Sequence, residues 1–353
     1  MNGAAMLAPD QMLTVGEAGP LDAEAWDAFV ESHPAGSFFH LFGWKKVLEN
    51  GVGFETPFLV ARRGPRISGV LPLAHTRSWL FGNALVSLPF CVRGGVLAED
   101  EDTREALIGA ACRLAERHGV DHLELRHAER QAPSLACKAE TYVNFSRAIL
   151  PAAEDNLKAI PRKQRAVVRK GIADGLISRE GHDLETFFRI YATSVRNLGT
   201  PVFPKQYFRA LLDTFPNQIR ITTVSHGQQT LSSVLSFLHR GTVMPYYGGG
   251  LPAARLHKAY DFMYWEVMRT ACEAGYTTFD YGRSKIGSGA YSFKKNWGFE
   301  PEPLRYEYHL VKRKALPDLN PANPRFALAV AAWKKLPLGL ANVLGGRISP
   351  WLA

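Results

Sequence analysis

One layout occurs twice along this chain, and it limits the fold more tightly than any other feature. In the first copy, residues 58–73 read as strand, glycine-containing turn, strand. A second strand pair ends near Gly94 and Gly95. The helix that follows carries Leu107, Ile108, Ala111, Leu114 and Ala115 at helical spacing, with Asp102 and Glu105 as its capping box and Gly119 as its stop. Residues 122–126 form the next strand. In the second copy, residues 221–237 again read as strand, turn, strand, and Gly248, Gly249 and Gly250 read as a turn. A helix then carries Tyr260, Met263, Tyr264, Val267, Met268 and Ala271 on one face, Gly275 stops it, and residues 277–281 form a strand. Glu124 follows Gly119 by five residues, as Asp280 follows Gly275. Hairpins recur by chance, but the same helix, stop and acid in the same order do so far less readily. The chain therefore reads as a duplicated α/β (α+β) domain with mixed sheets flanked by helices. The expected divisions are a first domain at 11–150, a basic junction helix within 151–181, a second domain at 182–315 and a tail at 316–353.

Length and composition agree with two packed domains. The chain has 353 residues, 46% of them hydrophobic and 21% charged, so it can bury real cores. Its net charge of +9 favours anionic partners such as nucleic acid, phosphorylated substrates or an anionic membrane face. The four cysteines are widely spaced and read as reduced core thiols. No secretory signal and no apolar run of about 20 residues is visible, which points to a cytoplasmic protein. A Walker loop, a GxSxG elbow and a Rossmann glycine fingerprint in context are all lacking, which argues against nucleotide-driven, serine-hydrolase and dinucleotide chemistry. His118, His122 and His127 cluster in sequence, but Gly119 breaks the helix and no cysteine joins them, so no metal site is expected.

The residues that carry a family likeness lie mostly in the second copy. Tyr247-Gly248-Gly249, Trp265-Glu266, Phe279-Asp280-Tyr281-Gly282 and the run from Gly289 through Tyr291 and Phe293 to Lys294 resemble the Fem-type aminoacyl transferases. Phe42-Gly43-Trp44-Lys45-Lys46 in the first half is similar to that family's N-terminal segment, and the likeness spans about residues 30–312. A narrower similarity is to the FemAB-like proteins that accompany exosortase/PEP-CTERM systems. The resemblance implies two tandem GNAT-like domains and transfer of an aminoacyl or acyl group to an amine. The acceptor would be related to the cell envelope or an exopolysaccharide. The donor would be aminoacyl-tRNA or acyl-CoA, with no tightly bound cofactor. Lys294, Tyr247 and Tyr207 match functional positions of the family, whereas Phe203 and Leu48 stand where phosphate-binding arginine and lysine would align.

Acyl transfer to an amine needs a free amine, a stabilised oxyanion and a neutralised leaving group. Lys294 and Asp280 are the catalytic candidates, the acid to orient or deprotonate the amine and the lysine to offset negative charge. Tyr247, Gly248, Gly249, Gly250, Arg283, Tyr291 and Phe293 are candidates for the donor side. Tyr207, Lys45, Lys46, Arg162, Arg165 and Arg169 are candidates for the acceptor side. Plainer readings stand beside these. The glycines serve as a turn, Asp280 caps its loop or pairs with Arg283, Lys294 and Lys295 form a solvated pair, and the basic run 158–170 is a solvated helix face. Two alternatives to the envelope enzyme remain, a small-molecule acyl-CoA N-acetyltransferase and a non-catalytic binder of anionic glycan or RNA. The tail, with Trp333, Lys334, Lys335 and Arg347 among apolar turns, reads equally as a helix on an anionic membrane face or one docked on its own domain.

Overall fold

The computed structural model describes residues 12–78, 82–317 and 324–352, without the side chains of 324–327 and 352. Residues 11 and 79–81 of the expected first domain and residues 318–323 and 353 of the expected tail lie outside the described residues. The chain divides into two units. One holds the chain up to Ala139 and the segment beginning at Leu304, and the other holds Glu140–Pro303 and the C-terminal helices.

The first unit contains β1 (Leu13–Glu17), α1 (Ala23–Ser32), α2 (Gly43–Val52), β2 (Leu59–Arg63), β3 (Arg66–Leu71), β4 (Ala74–Ser78), β5 (Gly82–Val86), β6 (Leu97–Ala98), α3 (Glu101–His118), β7 (His122–His127) and β8 (Ala136–Lys138). β1, β2, β3 and β6 form one sheet in that order. Pro72 lies between β3 and β4; it has no N–H to extend a ladder, and β4 continues in a second sheet. There β5 pairs antiparallel with β4 and parallel with β7. The apolar stripe of α3, including Leu107, Ala111 and Ala115, packs with Leu59, Leu71, Leu123 and Leu125. Its cap differs from the sequence reading. Asp100, with extended backbone, accepts from Thr103 N at 2.8 Å, so Asp102 already lies in the first turn.

The second unit contains β9 (Tyr142–Asn144), β10 (Ser146–Ala148), α4 (Ala153–Ala159), α5 (Arg162–Ala173), β11 (Ile177–Gly181), α6 (Leu184–Leu198), α7 (Lys205–Thr214), β12 (Ile219–His226), β13 (Gln229–His239), β14 (Thr242–Gly250), α8 (Ala259–Glu273), β15 (Thr278–Asp280), β16 (Ser284–Lys285), α9 (Gly289–Asn296) and β17 (Glu302–Pro303). The next strand, β18 (Arg305–Leu310), pairs with β7 and β8 in the first unit, and α10 (Pro324–Trp333) and α11 (Leu338–Ile348) complete the second. The main sheet of the second unit runs β10-β15-β14-β13-β12-β11. The first unit has the same sequence of pairings, with β18, β7, β5, the interrupted β4 and β3, β2 and β1 in the corresponding places. The fold is thus a tandem α/β architecture with mixed sheets.

The boundary after residue 150 read from the sequence falls at Ala139 in the structure, because β10 pairs with β15 inside the second unit's sheet. The basic segment is two helices within the second unit, broken at Ile160 and Pro161. Pro161, with ψ of 142°, is the N-cap of α5. The tail docks on its own unit. A Cβ at Gly345 would meet the Val202 backbone at 2.9 Å, and Arg196 Nη1 donates to the Lys334 carbonyl at 3.0 Å. No described helix is long and apolar enough to cross a membrane.

Candidate active site

The second unit's sheet opens where two parallel strands part. β14 and β15 pair at Thr242 with Thr278 and Val243 with Phe279, and that ladder then ends although β14 runs on to Gly250. Two features bend β14 here. Pro245 has no N–H, and Tyr246 is an extra residue between the Ser236–Pro245 and Leu235–Tyr247 pairs. Crevices at the carboxyl ends of parallel strands are where α/β sheets accept ligands.

Gly248, Gly249 and Gly250 end this strand and do not form the turn read from sequence. Their ladder with Val234, Ser233 and Ser232 is regular, and the need for glycine is tertiary. A Cβ at Gly249 would meet Ser194 Cβ and Tyr191 Cα at 2.9 Å, and one at Gly250 would meet the Tyr260 ring at 2.7 Å. α6 and α8 therefore approach the strand too closely for a side chain. Beside them Tyr247 is buried, its hydroxyl 2.9 Å from that of Tyr207. One donor-side and one acceptor-side candidate thus share a buried hydrogen bond. Phe203 packs against both rings, and Leu48 is fully buried in the first unit, so each fills an apolar site.

The lysines do not sit on a loop. α9 starts at Ser288, whose hydroxyl accepts from Tyr291 N at 3.2 Å, and one helical turn carries Lys294 inward while Lys295 stays exposed. Lys294 is 8% exposed and donates to the carbonyls of Tyr281 (2.7 Å), Gly282 (2.9 Å) and Arg283 (3.1 Å). Burial pushes its amine down to about 7, against the opposing charge of Asp280 and with the help of Arg283. Three acceptors require three N–H groups, so this geometry suits the ammonium form. The plainer reading of a solvated pair fails for Lys294 and holds for Lys295.

Asp280 ends β15. One carboxylate oxygen accepts from Gly282 N at 2.7 Å, which caps the loop, and the other accepts from Asn144 Nδ2 at 3.3 Å. Arg283 stacks on the Tyr142 ring at 4.5 Å. Tyr291 meets Phe145 edge-on, and Phe293 packs between Tyr264 and Trp297. Around this cluster Tyr281 Oη, Asn144 Oδ1 and Ser284 Oγ are buried with no hydrogen-bond partner among the described residues. Such atoms are rare in folded proteins unless a ligand or water completes them. Desolvation, foremost, holds the Tyr281 phenol well above its ordinary range, so it is a neutral donor. Asn144 escapes a sequence reading because β9 brings it from far upstream. Tyr281 stands in the Phe-Asp-Tyr-Gly run, but nothing in that run marks it apart from its neighbours.

The acceptor-side candidates are dispersed. Lys45 belongs to the first unit, where it pairs with Glu49 at 3.3 Å and donates to Thr56, while Lys46 is exposed on α2. Arg165 donates to the Lys158 carbonyl at 2.7 Å, and Arg162 and Arg169 lie on the exposed face of α5.

In the first unit the corresponding parallel pair is closed. β5 and β7 pair through Val86 and Glu124, then Ser87 N donates to Glu124 O at 2.8 Å and Arg126 N to Ser87 Oγ at 2.7 Å. Arg126, 2% exposed, donates Nε to Glu124 at 2.6 Å and Nη1 to Cys91 O at 3.2 Å. It thereby holds a segment in which Leu88 and Phe90 adopt positive φ.

Residues 155–295 match the family described as an acetyltransferase (GNAT) domain. The chain is similar in structure to FemX, with a TM-score of 0.67, 15% identity, and 90% of this chain and 100% of that one covered. It is also similar to the C-terminal domain of a putative lysylphosphatidylglycerol synthetase from Agrobacterium fabrum (TM-score 0.55, 13% identity, 88% and 95% covered). A tandem GNAT protein from the clavulanic acid biosynthesis pathway gives a TM-score of 0.54 at 14% identity, with 87% and 100% covered. At these identities the likeness is one of fold. A comparison with curated proteins gave no match. The parted strands and Lys294 lie in the matched segment, and the match indicates an acyltransferase by class. The particular architecture is that of tandem GNAT proteins.

Proposed function

We propose that the protein moves an aminoacyl or acyl group from an activated donor to an amine, at the parted strands of the second unit. The observation that carries this reading is the opening between β14 and β15 beside half-buried Asp280 and buried Lys294, inside the segment that matches the acetyltransferase domain. In the reaction the amine nitrogen bonds to the donor carbonyl carbon and an oxyanion forms. The C–S bond of an acyl-CoA or the C–O bond of an aminoacyl-tRNA then breaks. The amine proton passes to Asp280 or to water, and the leaving thiolate or alkoxide takes up a proton. Tyr281, kept neutral by burial, offers its O–H to the developing charge. Lys294 is a positioning residue, fixing the carbonyls of 281–283 and placing positive charge beside Asp280. Arg255 and Lys258, at the N-terminal end of α8, would attract the donor's phosphates.

The Fem-like sequence resemblance and the lysylphosphatidylglycerol synthetase neighbour favour an aminoacyl donor and an envelope-related acceptor, exopolysaccharide included. The tandem GNAT neighbour favours acyl-CoA. A transfer assay with radiolabelled acetyl-CoA and, separately, charged tRNA over an envelope extract tests the reading. One donor should label an amine product, and Lys294→Met should abolish the label. Labelling that survives in Lys294→Met contradicts the assignment. Leu340, Val343 and Arg347 are exposed on α11, which supports peripheral contact with an anionic membrane. Liposome flotation unchanged by deleting 324–353 would remove that part of the reading.

A further inference from the structure

Glu55, His75 and His118 come from distant parts of the sequence and meet in the first unit, their ligating atoms all within 4.8 Å of one another. His75 lies on β4 and is 6% exposed. Its backbone N donates to Glu55 O at 2.8 Å, which brings the two side chains to one side of that bridge. His118 closes α3, and its ring meets His75 edge-on at 5.1 Å.

The ring nitrogens of His75 carry the inference. Nε2 lies 2.6 Å from Asn83 Oδ1, and Nδ1 lies 3.2 Å from a Glu55 carboxylate oxygen. Both partners are acceptors, whereas a neutral imidazole has one N–H. With that N–H given to Asn83, the Nδ1 lone pair faces a carboxylate, an arrangement that a cation between them resolves. A proton would suffice for two groups, but the third donor, His118, is what a metal ion uses. A histidine ligand whose other nitrogen donates to a fixed oxygen is the usual outer support of a metal site.

We propose that Glu55, His75 and His118 bind a divalent transition-metal ion, zinc by the chemistry of the donor set, with water in the fourth position. Tetrahedral zinc at bonds of about 2.1 Å holds its donors about 3.4 Å apart. The Glu55–His75 contact is already near that spacing, and Glu55 and His118 are exposed, so a modest inward rotation of either would bring its donor to the ion. The ion would tie the residue ahead of β2 to β4 and to the end of α3. His118 thus joins His75 and Glu55 rather than its sequence neighbours. His127 instead takes a hydrogen bond from Val96 N and contacts Glu307 at 2.7 Å.

A second cluster, Asp174, His226 and His257, has stacked histidine rings and a 2.6 Å His257–Asp174 contact that needs no metal. The test therefore uses the full chain carrying His226→Asn and His257→Asn. Calorimetric titration with zinc at neutral pH should show one ion per chain, accompanied by a rise in Tm. Adding Glu55→Gln and His118→Asn, both at exposed positions, should weaken binding by about tenfold or more and remove the Tm rise. No binding up to millimolar zinc, or binding unchanged by those two substitutions, overturns the proposal.

Discussion

Arg126 and Lys294 are both buried cations beside a strand acid, and each donates to backbone carbonyls, yet they leave their units in opposite states. Arg126 bonds Glu124 and the 88–91 segment, so the first unit's parallel pair ends in a closed knot. Lys294 grips the loop after β15, its amine is pushed down to about 7, and the β14–β15 ladder ends after two pairs. Duplication copied the strand order. The proposed transfer takes place at the segments just beyond the parallel pair, and there the copies differ.

Paired substitutions test that contrast, with the largest effects first. Arg126→Met removes its bonds to Glu124 and to the 88–91 carbonyls and should cost about 3–5 kcal/mol of stability, read by denaturant unfolding, with turnover per folded molecule kept. Lys294→Met should keep the fold and lower turnover by about 100-fold or more, seen in the transfer assay as loss of kcat rather than a rise in KM. If Arg126→Met abolishes turnover in a folded protein while Lys294→Met spares it, the roles of the two units are reversed. Asp280→Asn should lower turnover by about 10–100-fold, with the loss smallest at high pH, where the amine is already free.

Smaller effects appear in the pH dependence of stability. Burial raises the Glu307 carboxyl, but bonds from His127 and from the Gln131 and Ala132 N–H groups outweigh it and hold it below its ordinary value. Its contribution is therefore present at neutral pH and fades as acid carries the pH down through the folded value. Glu307→Gln should cost about 2 kcal/mol near neutrality and flatten the acid side of the curve. Lys294 works in the opposite sense. Its folded value near 7 lies below the ordinary 10.5, so the unfolded chain binds more protons between them and stability rises with pH across that window. Lys294→Met should remove this rise, a difference measurable from unfolding midpoints at pH values on either side of the window.

Much of the frame is legible because it rests on local pattern. The apolar stripe of α3 and the stops at Gly119 and Gly275 follow from spacing and from positive φ at glycine. The illegible parts depend on partners distant in sequence. Three consecutive glycines look like a turn, whereas the close approach of α6 and α8 makes them strand. α9 escapes a sequence reading although Ser288 stands at its N-cap, because the glycines at 287 and 289 mask the helical pattern. The strand crossing of β10 and β18 between the two sequence copies has no local signal at all. In the candidate site, Asp280 and Lys294 stand out from the sequence, but the inward turn of Lys294 and the arrival of Asn144 require the fold.

The most direct test of the central claim is hydrogen–deuterium exchange of the whole chain with and without donor, using acetyl-CoA and aminoacyl-tRNA in separate runs. One of them should slow exchange in 244–250 and 281–298 and leave 87–95 and 122–127 unchanged. Protection confined to 87–95 and 122–127 would place the donor in the closed unit and contradict the account.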